Sequence, residues 1–376
     1  MTTHNAKNVR IKREYIIFLR EARQQSEASA DSVAAALARF EEYTRYRDFK
    51  AFHRKQAIAF KEHLALQGNR TTGANLSKAT QYATLAHLKR FFQWLAMQPG
   101  YKSCIQYCDA EFFNLSANDG RIATARRPRP VPTPEQVRHA IESMPAVSEM
   151  DKRDRALLAL VFLTGARDGA VASLKLKHVD LDARLLFQDA RDVRTKFSKT
   201  IPTFFFPVGD DIRQIVVDWV NHLRKERLWG NDDPLFPRTR VVLGADRQFR
   251  PDGLEQAHWS NAEPIRKVFR SAFTTAGLPY FNPHSLRGTL AILGEKLCRS
   301  AEEMKAWSQN LGHEDMLTTF TSYGQVSTPR QGDIIRQLAA RKESPDLGID
   351  SPPELRAFFA KMVEAEVRRQ ISSAAD

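Results

Sequence analysis

Prolines at positions 128, 130 and 132 stand among Arg126, Arg127 and Arg129 in the stretch ANDGRIATARRPRPVPT, residues 117–133. Proline fixes φ and removes a backbone donor, so a run this dense stops a helix from passing through it. The stretch reads as a basic linker, with one domain over residues 1–116 and another opening at 134. A chain of 376 residues has room for two domains of ordinary size, each able to bury a core.

The first domain reads as helices. In SADSVAAALARFEEYTRY, Val33, Leu37, Phe40 and Tyr43 fall at helical spacing, and in FHRKQAIAFKEHLAL so do Phe60 and Leu64. The clearest pattern is LSKATQYATLAHLKRFFQWLAMQPG. There Tyr82, Leu85, Leu88, Phe92 and Leu95 make one apolar stripe, and Pro99-Gly100 ends the helix. The stripe is core. Function belongs on the polar side, which carries Lys78, Lys89 and Arg90.

The second domain is expected to be mostly α with one small antiparallel β-sheet. PTPEQVRHAIESM is a helix with proline near its start, and DRALLALVFLTGA is an apolar helix ending at Gly165. RLLFQDAR, DVRTKF and TIPTFFFPV read as three short strands, the last two joined around Ser198. DIRQIVVDWVNHLRKERLW is an amphipathic helix, EPIRKVFRSAFTTAG is a helix stopped by Gly277, and Ser300 with Glu303 forms a capping box for one more. Ser351 and Glu354 give a second such signature in SPPELRAFFAKMVEAEVRRQ. Its Leu355, Phe358, Phe359 and Met362 pack on their own domain or dock on a neighbouring copy.

Charge is uneven. Residues 1–130 hold 22 Lys+Arg against 11 Asp+Glu, and the remainder 35 against 33. A basic first third on a nearly neutral body points to a polyanionic partner, with a merely solvated surface as the alternative. The three cysteines make no disulfide framework, and Cys104 and Cys108 have no second ligand pair at zinc-site spacing. The expectation is a cytoplasmic protein with reduced thiols and no metal. MTTHNAKNVRIKREY has no signal-peptide core, and no run of about 18 apolar residues predicts a membrane span.

Polar residues scattered through the second half carry the functional signal. Arg167 lies in LTGARDGA, Lys196 in VRTKFSK, His284 and Arg287 in NPHSLRGTL, and His313 in LGHEDMLTTFTSYGQV, which also holds Tyr323. Two arginines, a lysine, two histidines and a tyrosine can together run phosphoryl transfer on a nucleic-acid backbone without a metal. In this order and spacing the set resembles the catalytic residues of the tyrosine recombinases, the phage integrase family. LGHEDMLTTFTSY is the most specific piece, through its glycine, histidine, paired threonines and tyrosine. The likeness covers residues 150–326 well. It covers the first domain more loosely, through an FFxWL-like finish.

The resemblance implies an N-terminal helical core-binding domain over 1–116, the linker 117–133, a mixed α+β integrase-type catalytic domain over 134–340 and a C-terminal tail helix over 341–376. It implies a two-domain clamp on double-stranded DNA, with Lys78, Lys89, Arg90, Arg126, Arg127 and Arg129 as candidate phosphate contacts. The basic linker either lies along the DNA backbone or is a solvated tether. Partners are a homo-oligomer, a tetramer on DNA, and accessory DNA-bending proteins. No cofactor is implied.

By the same resemblance Arg167 and Arg287 neutralise the phosphate oxygens, for which a planar, permanently charged fork is suited. Tyr323 is the nucleophile. Ionising a phenol with a pKa near 10 at neutral pH costs about 4 kcal/mol, which a nearby base and positive field offset. His284 is the candidate base, Lys196 protonates the departing 5′ oxygen, and His313 hydrogen-bonds the phosphate. Lys199 is the alternative acid; Lys196 is preferred because the family's lysine opens the turn. The chain departs from the family pattern at Ala170, where an acidic residue is usual, with Asp168 instead directly after Arg167. The interval from His313 to Tyr323 is also slightly long. Tyr280, placed before the HxxR helix, does not match the nucleophile. The reading is a site-specific DNA recombinase or integrase of a mobile element. Competing readings are an architectural DNA-binding protein of the same fold and a type IB topoisomerase-like enzyme. Metal-dependent nuclease action is disfavoured, since no acidic cluster accompanies these residues.

Overall fold

The computed structural model describes residues 4–68, 73–125, 130–195, 198–244 and 246–312, together with residue 332. The chain divides into two compact units, Met1–Arg127 and Pro128–Asp376.

The first unit is helical: α1 Ala6–Ile17, α2 Glu27–Tyr43, α3 Arg54–Leu66, α4 Lys78–Leu95 and α5 Ala117–Thr124. Side chains of Asn5, Ser26, Ser77 and Ser116 cap α1, α2, α4 and α5 through backbone N–H groups of the first turn. The core is aromatic. Phe52 and Phe92 stack with centroids 3.7 Å apart, and Phe40 meets Phe60 and Phe92 edge-on at 5.1 and 5.2 Å. The buried amide of Asn8 ties α1 to the loop after α2. It donates to the Arg47 carbonyl at 3.0 Å and accepts from the Phe49 N–H at 3.1 Å.

Two expectations for this unit are corrected. Tyr82 does not open the stripe of α4; it is exposed, and Gln81 is buried instead, its amide donating to the Leu76 carbonyl at 2.8 Å. The first half of the expected linker is helix α5, because the prolines begin only at 128 and Ser116 caps the turn through the Asp119 N–H at 3.0 Å. Arg126, Arg127 and Arg129 lie outside the described residues.

The second unit is built on α7, Glu149–Thr164, whose residues from Ala156 onward are all buried. Around it lie α6 Pro134–Glu142, α8 Asp168–Val171, α9 Asp210–Asn221, α10 Glu263–Thr275, α11 Ser285–Leu297 and α12 Ala301–Asn310. Ser300 and Glu303 form the expected capping box of α12. Strands β1 Val179–Asp180, β2 Leu185–Gln188 and β3 Ile201–Phe204 form an antiparallel sheet in the order β1-β2-β3.

DVRTKF is not a strand over its described residues. The Asp189 carbonyl accepts from the Asp192 and Val193 N–H groups at 3.0 and 2.7 Å and curls the chain into a turn. A single sheet was also expected; a second one is present. β4 Arg238–Leu243 and β5 Phe249–Glu255 pair antiparallel as a largely exposed ribbon. The tail 341–376, with Leu355, Phe358, Phe359 and Met362, lies outside the described residues.

Candidate active site

Gly165 ends α7 in the left-handed region at φ 61°, accepting the turn that carries the chain to Arg167. A Cβ at Gly165 would sit 3.1 Å from both Leu290 of α11 and Leu311, so any side chain here is both strained and crowded. Arg167 follows as the N-cap residue of α8 and is half-buried. Ala170, the departure noted in the sequence, is buried in the core. The Asp168 carboxylate is taken up by Arg266 of α10 at 2.9 Å.

The segment NPHSLRGTL starts α11. The Asn282 side chain accepts from the Ser285 N–H at 3.1 Å, and the Ser285 hydroxyl donates to the Asn282 carbonyl at 2.6 Å. His284 stands exposed at this end, while Arg287, one turn further, is buried. The Arg287 guanidinium donates to the Gly165 carbonyl at 2.8 Å and to the Leu311 carbonyl at 2.5 Å. These carbonyls lie two residues before Arg167 and two before His313. One side chain thus binds the first arginine's turn and the LGH turn to the HxxR helix. The Thr289 hydroxyl, also on α11, donates to the Pro132 carbonyl at 2.5 Å and fixes the end of the linker.

The β2–β3 hairpin joins the same place. The Asn310 side chain accepts from the Phe204 N–H at 2.7 Å and donates to the Phe204 carbonyl at 2.9 Å, a two-bond clasp between α12 and β3. Gly312, at φ 70°, lies against Ile201 so closely that a Cβ there would be 3.1 Å from it. Lys199, in the hairpin loop, is half-buried. Lys196, His313 and Tyr323 lie outside the described residues.

Asn310 and Arg266 were not singled out in the sequence. Asn310 sits directly before LGH, where a polar residue ending a helix is an ordinary surface feature until its strand partner is known. Burial lowers the pKa of His258, against hydrogen bonds with the Leu174 and Ser173 backbone that raise it.

In the first unit, Lys78 pairs with Asp119 at 3.0 Å and Lys89 with Glu111 at 2.7 Å. The bond from Lys89 is the main reason the Glu111 carboxyl is held below its ordinary value. Arg90 is exposed. Among the described residues no cluster of three or more His, Cys, Asp or Glu side chains is arranged to hold a metal ion, and no helix is long and apolar enough to cross a membrane.

Residues 131–330 match the phage integrase family. Over 276 residues the chain is 25% identical to the tyrosine recombinase XerC of Lactobacillus delbrueckii subsp. bulgaricus, covering 72% of this chain and 80% of that protein. Among solved structures, a lambda integrase(75-356) dimer bound to a COC' core site aligns with a TM-score of 0.56 at 14% identity, over 85% of this chain and 96% of that one. The XerH site-specific recombinase bound to palindromic difH substrate in a post-cleavage complex aligns at 0.55 and 17% identity, over 87% and 85%. At these identities the structural likeness is one of fold.

Proposed function

Since the chain belongs to the phage integrase family, a family of tyrosine-type site-specific recombinases, we propose that it cuts and rejoins duplex DNA through a 3′-phosphotyrosine on Tyr323. The observation that carries this reading is the pair of bonds from Arg287 to the Gly165 and Leu311 carbonyls. They draw together the turns that lead to Arg167 and His313, on the helix headed by His284.

Tyr323 attacks the phosphorus, and the bond to the 5′ oxygen breaks. Arg167 and Arg287 stabilise the charge that builds on the non-bridging oxygens. His284 takes the phenolic proton, Lys196 supplies one to the departing 5′ oxygen, and His313 hydrogen-bonds the phosphate. The covalent intermediate conserves the bond energy, so a 5′-hydroxyl religates without ATP or another cofactor.

The proposed partner is double-stranded DNA, supported by the DNA-bound state of both structural neighbours. A tetramer on two duplexes, helped by accessory DNA-bending proteins, and action in the cytoplasm complete the reading. Integration of a mobile element is the preferred role, and resolution of chromosome or plasmid dimers the second. The test is covalent trapping. A target site is first selected from random or flanking genomic DNA, and a duplex nicked beside the cleavage point is then incubated with the protein in EDTA. A band shifted on a denaturing gel is expected with wild type and absent with Tyr323→Phe. A tightly bound site that yields no adduct would move the reading to an architectural DNA-binding protein.

A further inference from the structure

We propose that Asp192 is a positioning residue for the lysine general acid: held by Lys175 and Lys177, it anchors the leading limb of the β2–β3 loop four residues before Lys196. This inference rests on the function proposed above and names a part of that site which the motifs do not contain.

The loop leaves β2 after Gln188 and re-enters the sheet at Ile201. Its first limb is pinned at successive residues. The Asp192 carboxylate receives Lys177 at 2.7 Å and Lys175 at 3.1 Å. Both lysines also reach Asp232, at 2.9 and 3.2 Å, so two cations and two anions alternate in one network. A network of this kind holds geometry better than an isolated surface pair. Bonds from Lys177 and Lys175 keep the Asp192 carboxyl well below the usual carboxylate range.

Buried His178 lies beside this network. Its Nδ1 accepts from the Lys175 N–H at 2.9 Å, which leaves Nε2 as the protonated nitrogen of the neutral ring, 3.7 Å from Asp192. The lysines themselves stand on a fixed base. The Leu176 and Lys177 N–H groups donate to the Asp233 and Asn231 carbonyls at 3.0 and 2.9 Å.

Beyond Asp192, Val193 is buried and the Arg194 N–H donates to the Ser173 hydroxyl oxygen at 2.9 Å. Ser173 in turn donates to the Ala170 carbonyl of α8 at 3.0 Å, and the Arg194 guanidinium donates to the Ser260 carbonyl at 2.7 Å. The tether therefore runs from the helix that Arg167 caps, through Ser173, into the loop. Lys196 is two residues past Arg194, and two residues span at most about 7 Å. Holding Arg194 therefore bounds how far the acid can reach.

The proton that Lys196 gives to the 5′ oxygen is needed because an alkoxide is a poor leaving group. A substrate with sulfur at the bridging 5′ position expels a thiolate, whose conjugate acid has a pKa near 8.5, and needs no such proton. The experiment compares single-turnover cleavage of ordinary and 5′-phosphorothiolate nicked duplexes by wild type, Asp192→Ala, Ser173→Ala and Lys196→Ala. Misplacing a reacting group by an ångström costs up to about 100-fold. The expected result is a 10- to 100-fold loss for Asp192→Ala on the oxygen substrate and near-wild-type cleavage of the sulfur substrate, the pattern also shown by Lys196→Ala. Ser173→Ala is expected to follow the same pattern more weakly.

Asp192→Ala cleaving the oxygen substrate at the wild-type rate would overturn the proposal. Equal losses on both substrates would overturn it too, since they mark a purely structural role. Failure of sulfur to rescue Lys196→Ala would remove its premise. Wild type giving no adduct on either substrate would instead sink the recombinase reading itself.

Discussion

Arg287 donates a hydrogen bond of 2.8 Å to the Gly165 carbonyl, across 122 residues of sequence, and a second to Leu311. Burial makes that link costly to break. Losing the donor strands two buried carbonyls, at about 1–3 kcal/mol each. Arg287→Ala is expected to lower the melting temperature by several degrees as well as to abolish cleavage. Arg167→Ala, at a half-buried N-cap position, is expected to lose about 10²–10³ in cleavage rate with a smaller change in melting than Arg287→Ala. Calorimetry beside single-turnover cleavage separates the two arginines.

Gly165→Ala places a Cβ at φ 61° and within 3.1 Å of Leu290 and Leu311. A left-handed non-glycine residue alone costs about 1–3 kcal/mol, and the contacts add to it. Urea unfolding of the full chain is expected to show a lower midpoint, with cleavage impaired because the turn leads directly to Arg167. An unchanged midpoint would mean that the α7–α11 contact is looser than described.

Arg90 and Lys89 neighbour one another on α4 but differ in engagement. Lys89 is already paired with Glu111, whereas Arg90 is exposed. Each phosphate contact contributes about one unit to the slope of log affinity against log salt. Arg90→Ala is expected to reduce that slope by about one and Lys89→Ala by less, measured by fluorescence anisotropy on a DNA duplex over a salt series.

Tyr15 has its pKa raised to about 12, chiefly by burial, with Arg90 and Arg23 pulling the other way. The unfolded chain's phenol ionises near 10, so the folded state holds the proton more tightly. Tyr15's contribution is therefore present in full below pH 10 and is lost as pH rises toward 12. Denaturant titrations at rising pH are expected to show a fall in stability that Tyr15→Phe reduces.

Much of this fold is legible in the sequence because local chemistry and tertiary packing agree. Gly165 after an apolar run, Pro134 behind the capping residue Thr133, and the Ser300–Glu303 box each state a helix boundary on their own. The β4–β5 ribbon was missed because Arg238–Leu243 is exposed along nearly its whole length and never alternates between a core face and a polar face. DVRTKF reads as a strand in the sequence, whereas the bonds from the Asp192 and Val193 N–H groups to the Asp189 carbonyl turn the chain there. At the site, the motifs gave the residue types and their order. What they could not give was the frame, since the Arg287, Asn310 and Ser173 bonds join residues far apart in sequence, and hydrogen-bond partners at such range leave no local pattern.

Every other role at the site depends on the identity of the nucleophile. The most direct measurement is to digest the DNA-trapped protein with protease and nuclease and locate the residual nucleotide by mass spectrometry. A single modified peptide carrying a phosphodiester on Tyr323 is expected, lost in Tyr323→Phe. A nucleotide on any other residue, or an adduct that persists in Tyr323→Phe, would contradict it.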